Sequence, residues 1–440
     1  MDDTSPELQR IEPPNAARKR RPWELYARRE RTIFLWMLFL VGTSSYVDKN
    51  VIGVVLEPIK AEFQVSDTML GLLSGIAFAL FYATAGIPVA RWADRGDRKL
   101  AITLSLCAWS VMTVLCGLAT TFWQLMVARF GVGTGEAGAI PPAQSLLADY
   151  YPPLERARAM GVFMMSAAGG YIIGLMLGGF IAQSHGWRAV FIIFGLAGLA
   201  LAPLAHFILK EPRHTRQFAL QANGGEPMVA AVRALFAKPA YRSLLVSIVI
   251  FFLVSYGALV FVVSLIIRVH GLNVAQAGGI YGATVALGVV IGSVGGGALA
   301  DRLAVRDIAW LARVAGWGLM AAIPLYELAF CSPNIIAMVP FLLLGAVVIS
   351  SAIPPAFSAV HVVCGSKRRA LAVALILFFA NLIGLGLGPV IAGALSDRFG
   401  AVYGSAEGLR YALMIVTIVL LPSSLLMLRA ARYLKRDAED

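Results

Sequence analysis

Apolar residues fill this chain in long unbroken runs rather than in alternation or on one helical face. Between charged and turn-forming breaks, the runs predict helices at 32–57, 69–91, 100–119, 122–147, 158–184 and 187–209. A polar stretch at 210–241 follows, and then helices at 242–269, 276–300, 306–330, 334–362, 369–396 and 407–432. Such runs approach or exceed the roughly 20 residues that cross a bilayer as a helix. Their continuity argues against a β-barrel, whose strands alternate apolar and polar positions. The expected fold is an all-α membrane protein with 12 transmembrane helices in two pseudo-symmetric six-helix bundles. The expected organisation is a basic N-terminal segment (1–31), a first bundle (32–209), a linker (210–241), a second bundle (242–432) and a short tail (433–440).

The two bundles repeat each other. "AIPPAQS" at 139–145 returns as "AIPPAFS" at 352–358. "WADR" at 92–95 is echoed by "ALADR" at 298–302, and "GGFIAQSHG" at 178–186 by "AGALSDRFG" at 392–400. A proline pair removes backbone donors and clashes with the preceding turn, so each pair predicts a break in its fourth helix. Neighbouring helices can compensate such a break inside a membrane. Internal duplication of this kind is a property of transporters that rock two halves about a site near the midplane.

Charge fixes the orientation. Only 14% of residues are charged and 59% are hydrophobic, against about 25% charged in soluble domains. Of the 37 lysines and arginines, thirty fall on the side of both termini, five on the other side, and Lys49 and Arg129 within helices. Basic residues concentrate on the cytoplasmic side of membrane proteins, so both termini are expected to be cytoplasmic. The same bias makes "RKRR" at 18–21 a topology determinant, and no nucleic-acid partner is expected. The first 31 residues carry no apolar core of a signal peptide. The four cysteines are scattered without metal-ligand spacing, there is no Asn-x-Ser/Thr sequon, and 43 glycines suit close helix packing. "GTGEAG" at 133–138 fits a dinucleotide fingerprint but lies inside a membrane helix, without the required strand before it. With no nucleophile elbow, P-loop or zinc-protease signature, neither an enzyme nor a cofactor is expected.

Few charges fall deep within the predicted spans: Asp48 and Lys49 in the first helix, Arg129 and Glu136 in the fourth, whereas Glu327 lies near the outer end of the ninth and can reach the interface. Each costs roughly 2.5–3.5 kcal/mol at a helix centre. At 1.5 Å per residue, Asp48 and Arg129 lie at similar depth, and Glu136 follows Arg129 by two turns on the same face. The expectation is one polar network in which Arg129 holds Asp48 and Glu136 and couples proton binding to conformation. The competing reading is a permanently paired structural cluster. The repeat favours function: positions 342, 349 and 258, which match Arg129, Glu136 and Asp48, are Leu, Ile and Ala. Candidates for a substrate cavity between the halves are Tyr46, Lys49, Phe78, Phe81, Tyr82, Tyr171, Tyr256, Ser350, Ser351, Phe357, His361, Phe378 and Asn381.

The loop "ARWADRGDRK" (90–99) and the fourth-helix run "RFGVGTGEA" (129–137) resemble motifs of the major facilitator superfamily. Gly161, Gly170, Gly174, Gly178 and Gly179 have the spacing of its antiporter motif, with Leu175 in place of the motif's proline, which leaves symport and antiport open. "YVDKN" (46–50) and "GEAG…SLLADYYPPLERARAMG" (135–161) are similar to the Spinster family of that superfamily. The resemblance implies a cytoplasmic latch of Asp94, Arg95, Arg98 and Lys99; Asp149, Glu155, Arg156 and Arg158 follow the fourth helix on the same side and would complete it, with plain positive-inside topology as the competing reading of the basic residues. It implies helix-packing roles for the five glycines. It also implies a monomeric secondary transporter of the inner (cytoplasmic) membrane, driven by the proton gradient and using alternating access. Its substrate would be an amphipathic lipid, a lysophospholipid or sphingoid compound, or else a small organic anion. An uncoupled facilitator or lipid translocator is the alternative.

Overall fold

A computed structural model of the chain describes residues 22–212 and 228–438. The "RKRR" cluster and the middle of the linker lie outside the described residues. The first half comprises α1 (Arg28–Phe63), α2 (67–95, in two pieces meeting at Gly75), α3 (Arg98–Leu118), α4 (122–150), α5 (153–185) and α6 (187–208). A linker helix, Met228–Ala237, leads into α7 (Pro239–His270), α8 (Val274–Ala304), α9 (Trp310–Phe330), α10 (335–364), α11 (366–403) and α12 (405–437). Eight described segments are long and apolar enough to cross a membrane. The chain is therefore a multi-pass α-helical membrane protein.

Both proline pairs break their helices as expected. Helix α4 ends one segment at Glu136 and restarts at Ile140, and α10 is interrupted at Ala352 before Ile353. In each case the prolines occupy the first turn of the new segment, where missing N–H groups cost least. A second matched irregularity was not legible from composition. Helix α5 carries a π-helical turn at Ile172–Leu177 and α11 one at Ala380–Leu385. The α1–α2 and α7–α8 turns also repeat. Gln64 and Gly271 both close a helix with left-handed backbone, φ 51° and 67°. Ser66 and Asn273 then cap the next helix.

Helix α1 runs six residues beyond its predicted end at 57. Pro58 and the polar residues around it read as a loop, yet Glu57, Lys60 and Glu62 all find charged partners as helix residues. Within the halves, α3 packs on α6 and α1 on α5, matched by α9 on α12 and α7 on α11. Between the halves the contacts are α1 with α7, α2 with α11 and α5 with α8.

Glycine permits these approaches. A Cβ at Gly278 of α8 would stand 2.5 Å from the Leu175 carbonyl oxygen of α5, and one at Gly53 of α1 3.2 Å from the Val260 oxygen of α7. Four of the five expected packing glycines fill that role: Gly170 lies on Tyr46, Gly174 on Val47, Gly178 on Val51 and Gly179 on Val274. Gly161 does not, because a Cβ there would meet nothing within 4 Å. Its position near the start of α5 precedes the region where α1 and α8 close in. Gly135 of α4, by contrast, faces α3, where an added Cβ would sit 2.6 Å from the Trp109 nitrogen. Gly135→Val should lower stability by about 1–3 kcal/mol through overpacking. Gly161→Ala should stay within about 0.5 kcal/mol. Unfolding of the purified protein in detergent compares the two.

Candidate functional site

Helix α1 brings Ser45, Asp48 and Lys49 against α4, which offers Arg129 and Glu136 from one face two turns apart. Asp48, Arg129 and Glu136 are at most 3% exposed. The pairing differs from the sequence expectation. Glu136 is held by Lys49 and not by Arg129: its Oε2 lies 2.8 Å from Lys49 Nζ and accepts from Ser45 Oγ at 2.9 Å. Lys49 Nζ also donates to Ser45 Oγ at 3.0 Å. Ser45 and Lys49 are one turn apart, so the long lysine folds back along α1 to the depth of Glu136. Oε1 of Glu136 is buried with no partner.

Arg129 stops short of both carboxylates. Its Nη1 donates to the Asp48 backbone carbonyl at 3.3 Å, its guanidinium lies 5.5 Å from the centre of the Phe78 ring, and its Nε has no partner. Among the described residues it makes no ion pair. The Asp48 carboxylate instead meets the Thr113 hydroxyl of α3 at 3.1 Å, a hydroxyl that also lies 2.9 Å from the Trp109 carbonyl. Ser45 and Thr113 escaped sequence reasoning because small hydroxyl residues in apolar helices carry no distinguishing pattern.

Three expected cavity aromatics form a cage about Lys49: the ring centres of Tyr46, Phe78 and Tyr82 lie 5.5, 5.8 and 5.0 Å from Nζ. This is the geometry of cation–π attraction. Phe81 lies apart, against Phe130 at 4.9 Å. Beyond the cage, a cavity of about 150 Å³ opens between α5 and the second half, lined by Tyr171 of α5, Phe252 and Tyr256 of α7, Tyr281 of α8, Tyr326 of α9 and Ser350 of α10. Cage and cavity adjoin, since Gly170, next to Tyr171, packs on Tyr46. Phe357 lines a smaller pocket with Phe251 and Phe252. Ser351 is not a lining residue. Its hydroxyl donates to Val348 within α10, and Gly296 and Gly318 cover it. Asn381, at the start of the π turn of α11, donates back to Leu377 in the preceding α-helical turn, Phe378 packs on Phe379, and His361 is half-buried.

The sequence profile of the Major Facilitator Superfamily matches residues 38–382. The chain belongs to the major facilitator superfamily. This is a family of transport proteins and not of enzymes. An MFS-type efflux pump of Mycolicibacterium smegmatis is 33% identical over 408 residues, covering 91% of this chain and 92% of the pump. Protein spinster homolog 1 of Xenopus tropicalis is 25% identical over 433 residues, covering 91% and 80%. The crystal structure of a bacterial homolog of the human lysosomal transporter Spinster, inward-facing and unoccupied, superposes with a TM-score of 0.84 at 31% identity, covering 94% of this chain and 100% of the other.

The superfamily's α2–α3 loop is anchored by Arg98. Its buried guanidinium binds Glu211 through Nε and Nη2 at 3.1 and 2.6 Å, Asp149 at 2.7 Å and Ser145 at 3.0 Å. Glu211 was missed: it sits at the start of a basic linker and reads as one solvated charge among many. Glu155 pairs loosely with Arg31 at 3.4 Å, Arg156 is half-buried and Arg158 exposed. Lys99 is half-buried on the first turn of α3. The side chains of Asp94 and Arg95 lie outside the described residues. These ion pairs join α3 to α4 and to the start of the linker, and α1 to α5.

Removing one partner of a buried pair strands the other charge, at a cost of about 3–5 kcal/mol. Lys49→Ala should therefore destabilise the transporter by about 3 kcal/mol, and adding Glu136→Gln should recover much of that loss. A double-mutant cycle on unfolding midpoints measures the coupling.

Proposed function

We propose that this protein is a proton-coupled secondary active transporter that works by alternating access on an amphipathic lipid-like or organic-anion substrate. The reading rests chiefly on one observation: a fully buried carboxylate, Glu136, with one oxygen on Lys49 and the other free of any partner. The free Oε1 is the atom that would take a proton. Protonation removes the attraction for Lys49 and releases an ammonium inside an aromatic cage, ready for an anionic headgroup. Arg129, buried and without an ion pair among the described residues, is then a second cation for Asp48 or for the substrate. The aromatic cavity beyond would accept the apolar portion. The spinster-named relative and the Spinster-homolog structure support the Spinster resemblance, which is what implies the lipid-like class.

A small organic anion is the second reading. A probable sulfoacetate transporter of Cupriavidus necator is 31% identical over 284 residues, covering 62% of this chain. An uncoupled translocator would keep the Lys49–Glu136 pair intact throughout. In the proposed cycle the twelve helices span the cytoplasmic membrane with both termini inside, as a monomer. The Arg98, Asp149 and Glu211 cluster, with Asp94, Arg95 and Lys99, forms the cytoplasmic latch.

In proteoliposomes, an imposed pH gradient should drive uptake of a lysolipid or a small carboxylate, with proton flux alongside. Glu136→Gln should abolish the gradient-driven component. If the folded variant retains gradient-driven uptake, proton coupling through Glu136 is wrong. If the wild type moves substrate with no proton flux, the uncoupled reading stands. Asp94→Asn should shift the distance distribution between cytoplasmic-side labels, and an unchanged distribution would remove it from the latch.

A further inference from the structure

Arg268 and Asp397 tie the two halves together at the end of the bundle remote from the termini. Arg268, near the end of α7, reaches across to the first half. It donates to Glu57 through Nε at 3.0 Å and Nη2 at 2.7 Å, and to the two oxygens of Asp67 at 2.7 Å each. Asp67 is also held by Lys60 of its own half and by Ser396 of α11, each at 2.6 Å.

Beside this bridge, Asp397 of α11 caps α2 from the other half. Its oxygens accept from the backbone N–H groups of Asp67 and Thr68 at 2.9 and 2.8 Å, and from the Thr68 hydroxyl at 2.5 Å. The first N–H groups of a helix have no partner within it, and the helix dipole favours an anion there. Ser66 caps Met69, so Asp397 takes the two N–H groups that the local cap leaves free.

The repeat contains the same device without charge. The N–H of Val274, first residue of α8, donates to the side-chain oxygen of Gln183 in α5, at 3.3 Å. Gln183 and Asp397 occupy matching places in "GGFIAQSHG" and "AGALSDRFG", and Val274 matches Asp67. The position matching Arg268 is Ala61. Both contacts are closed by glycines as well, Gly71 and Gly75 against α11 and Gly278 and Gly282 against α5.

We propose that the far-side gate consists of two trans-capped helix starts related by the repeat, and that only the α2–α11 cap, charged through Asp397 and bolted by Arg268, sets how readily the gate opens. The α5–α8 contact is its neutral counterpart and parts without ionic cost. When the gate opens, Asp67 keeps Lys60 as counter-ion, so Glu57 and Asp397 are the acids left without their partners. This inference rests on the alternating-access reading.

The test is a distance measurement between spin labels at Gln64 and Val402, both exposed far-side positions in opposite halves, in full-length protein with the four cysteines replaced. Asp397→Ala and Arg268→Ala should each raise the long-distance population by about fivefold, the loss expected for one good cap. Gln183→Ala should change it by less than about twofold. If an alanine variant fails to fold, Asp397→Asn and Arg268→Lys are read by the same criterion with a smaller rise. Unchanged distributions at Asp397 and Arg268, or an equal rise at Gln183, overturn the proposal. Gly75→Leu, which wedges α2 from α11, separates the two ideas. If it lengthens the distance while Asp397 and Arg268 variants do not, the gate assignment fails and alternating access survives. If no variant and no substrate moves the labels while transport continues, alternating access itself fails.

Discussion

Hydrocarbon offers no partner to a polar group, so each charge and each free backbone group must be answered from within the protein. The rest of the structure follows from how that is done. Asp48 and Glu136 of this transporter are deeply buried, yet each finds hydroxyl or ammonium donors on a neighbouring helix. Helix starts and proline breaks are answered likewise, by caps, by neighbouring helices, and in two places by a side chain from the opposite half. Lipid provides no hydrophobic drive between helices, so attraction comes from close backbone approach and these polar ties. Glycine supplies the approach and a small set of charges supplies the ties.

The two halves divide the work unequally although they share one scaffold. The first half holds the charged cluster around Glu136 and the lysine cage, whereas the second supplies most of the aromatic cavity, to which the first adds Tyr171. The α4 and α10 proline breaks have the same geometry, but only α4 ends its first segment on an acid. That break places Glu136 where its helix stops, facing Ser45 and Lys49. On the termini side Arg98 ties α3 to α4 and to the start of the linker, whereas Arg268 and Asp397 tie the two halves at the far end.

Much of the architecture was legible in the chain. Runs of apolar residues, the side on which basic residues fall, and the recurrence of three short motifs give the helices, their grouping and the superfamily. These signals are local or statistical, and the bilayer enforces them regardless of neighbours. The rare intramembrane charges also located the candidate site, because such residues persist only where a protein interior receives them. Which charge meets which was not legible. Depth along a helix axis set Asp48 beside Arg129, but axial depth ignores side-chain reach, and Lys49 rather than Arg129 extends to Glu136.

Sequence by itself determined what must be buried, how many residues each helix needs, and that one repeat carries charges its copy lacks. Tertiary structure alone decided the partners. Arg268 and Asp67 are separated by about two hundred residues and read as unrelated charges near helix ends, yet they meet because α2 crosses α11 on glycine and proline backbone and α7 packs on the same α11. Hydropathy and positive-inside bias act on each segment independently and fix its place in the membrane. Ion pairing depends on rotation about the helix axis, on rotamer and on the approach of a distant helix, and those are set only when the bundle packs.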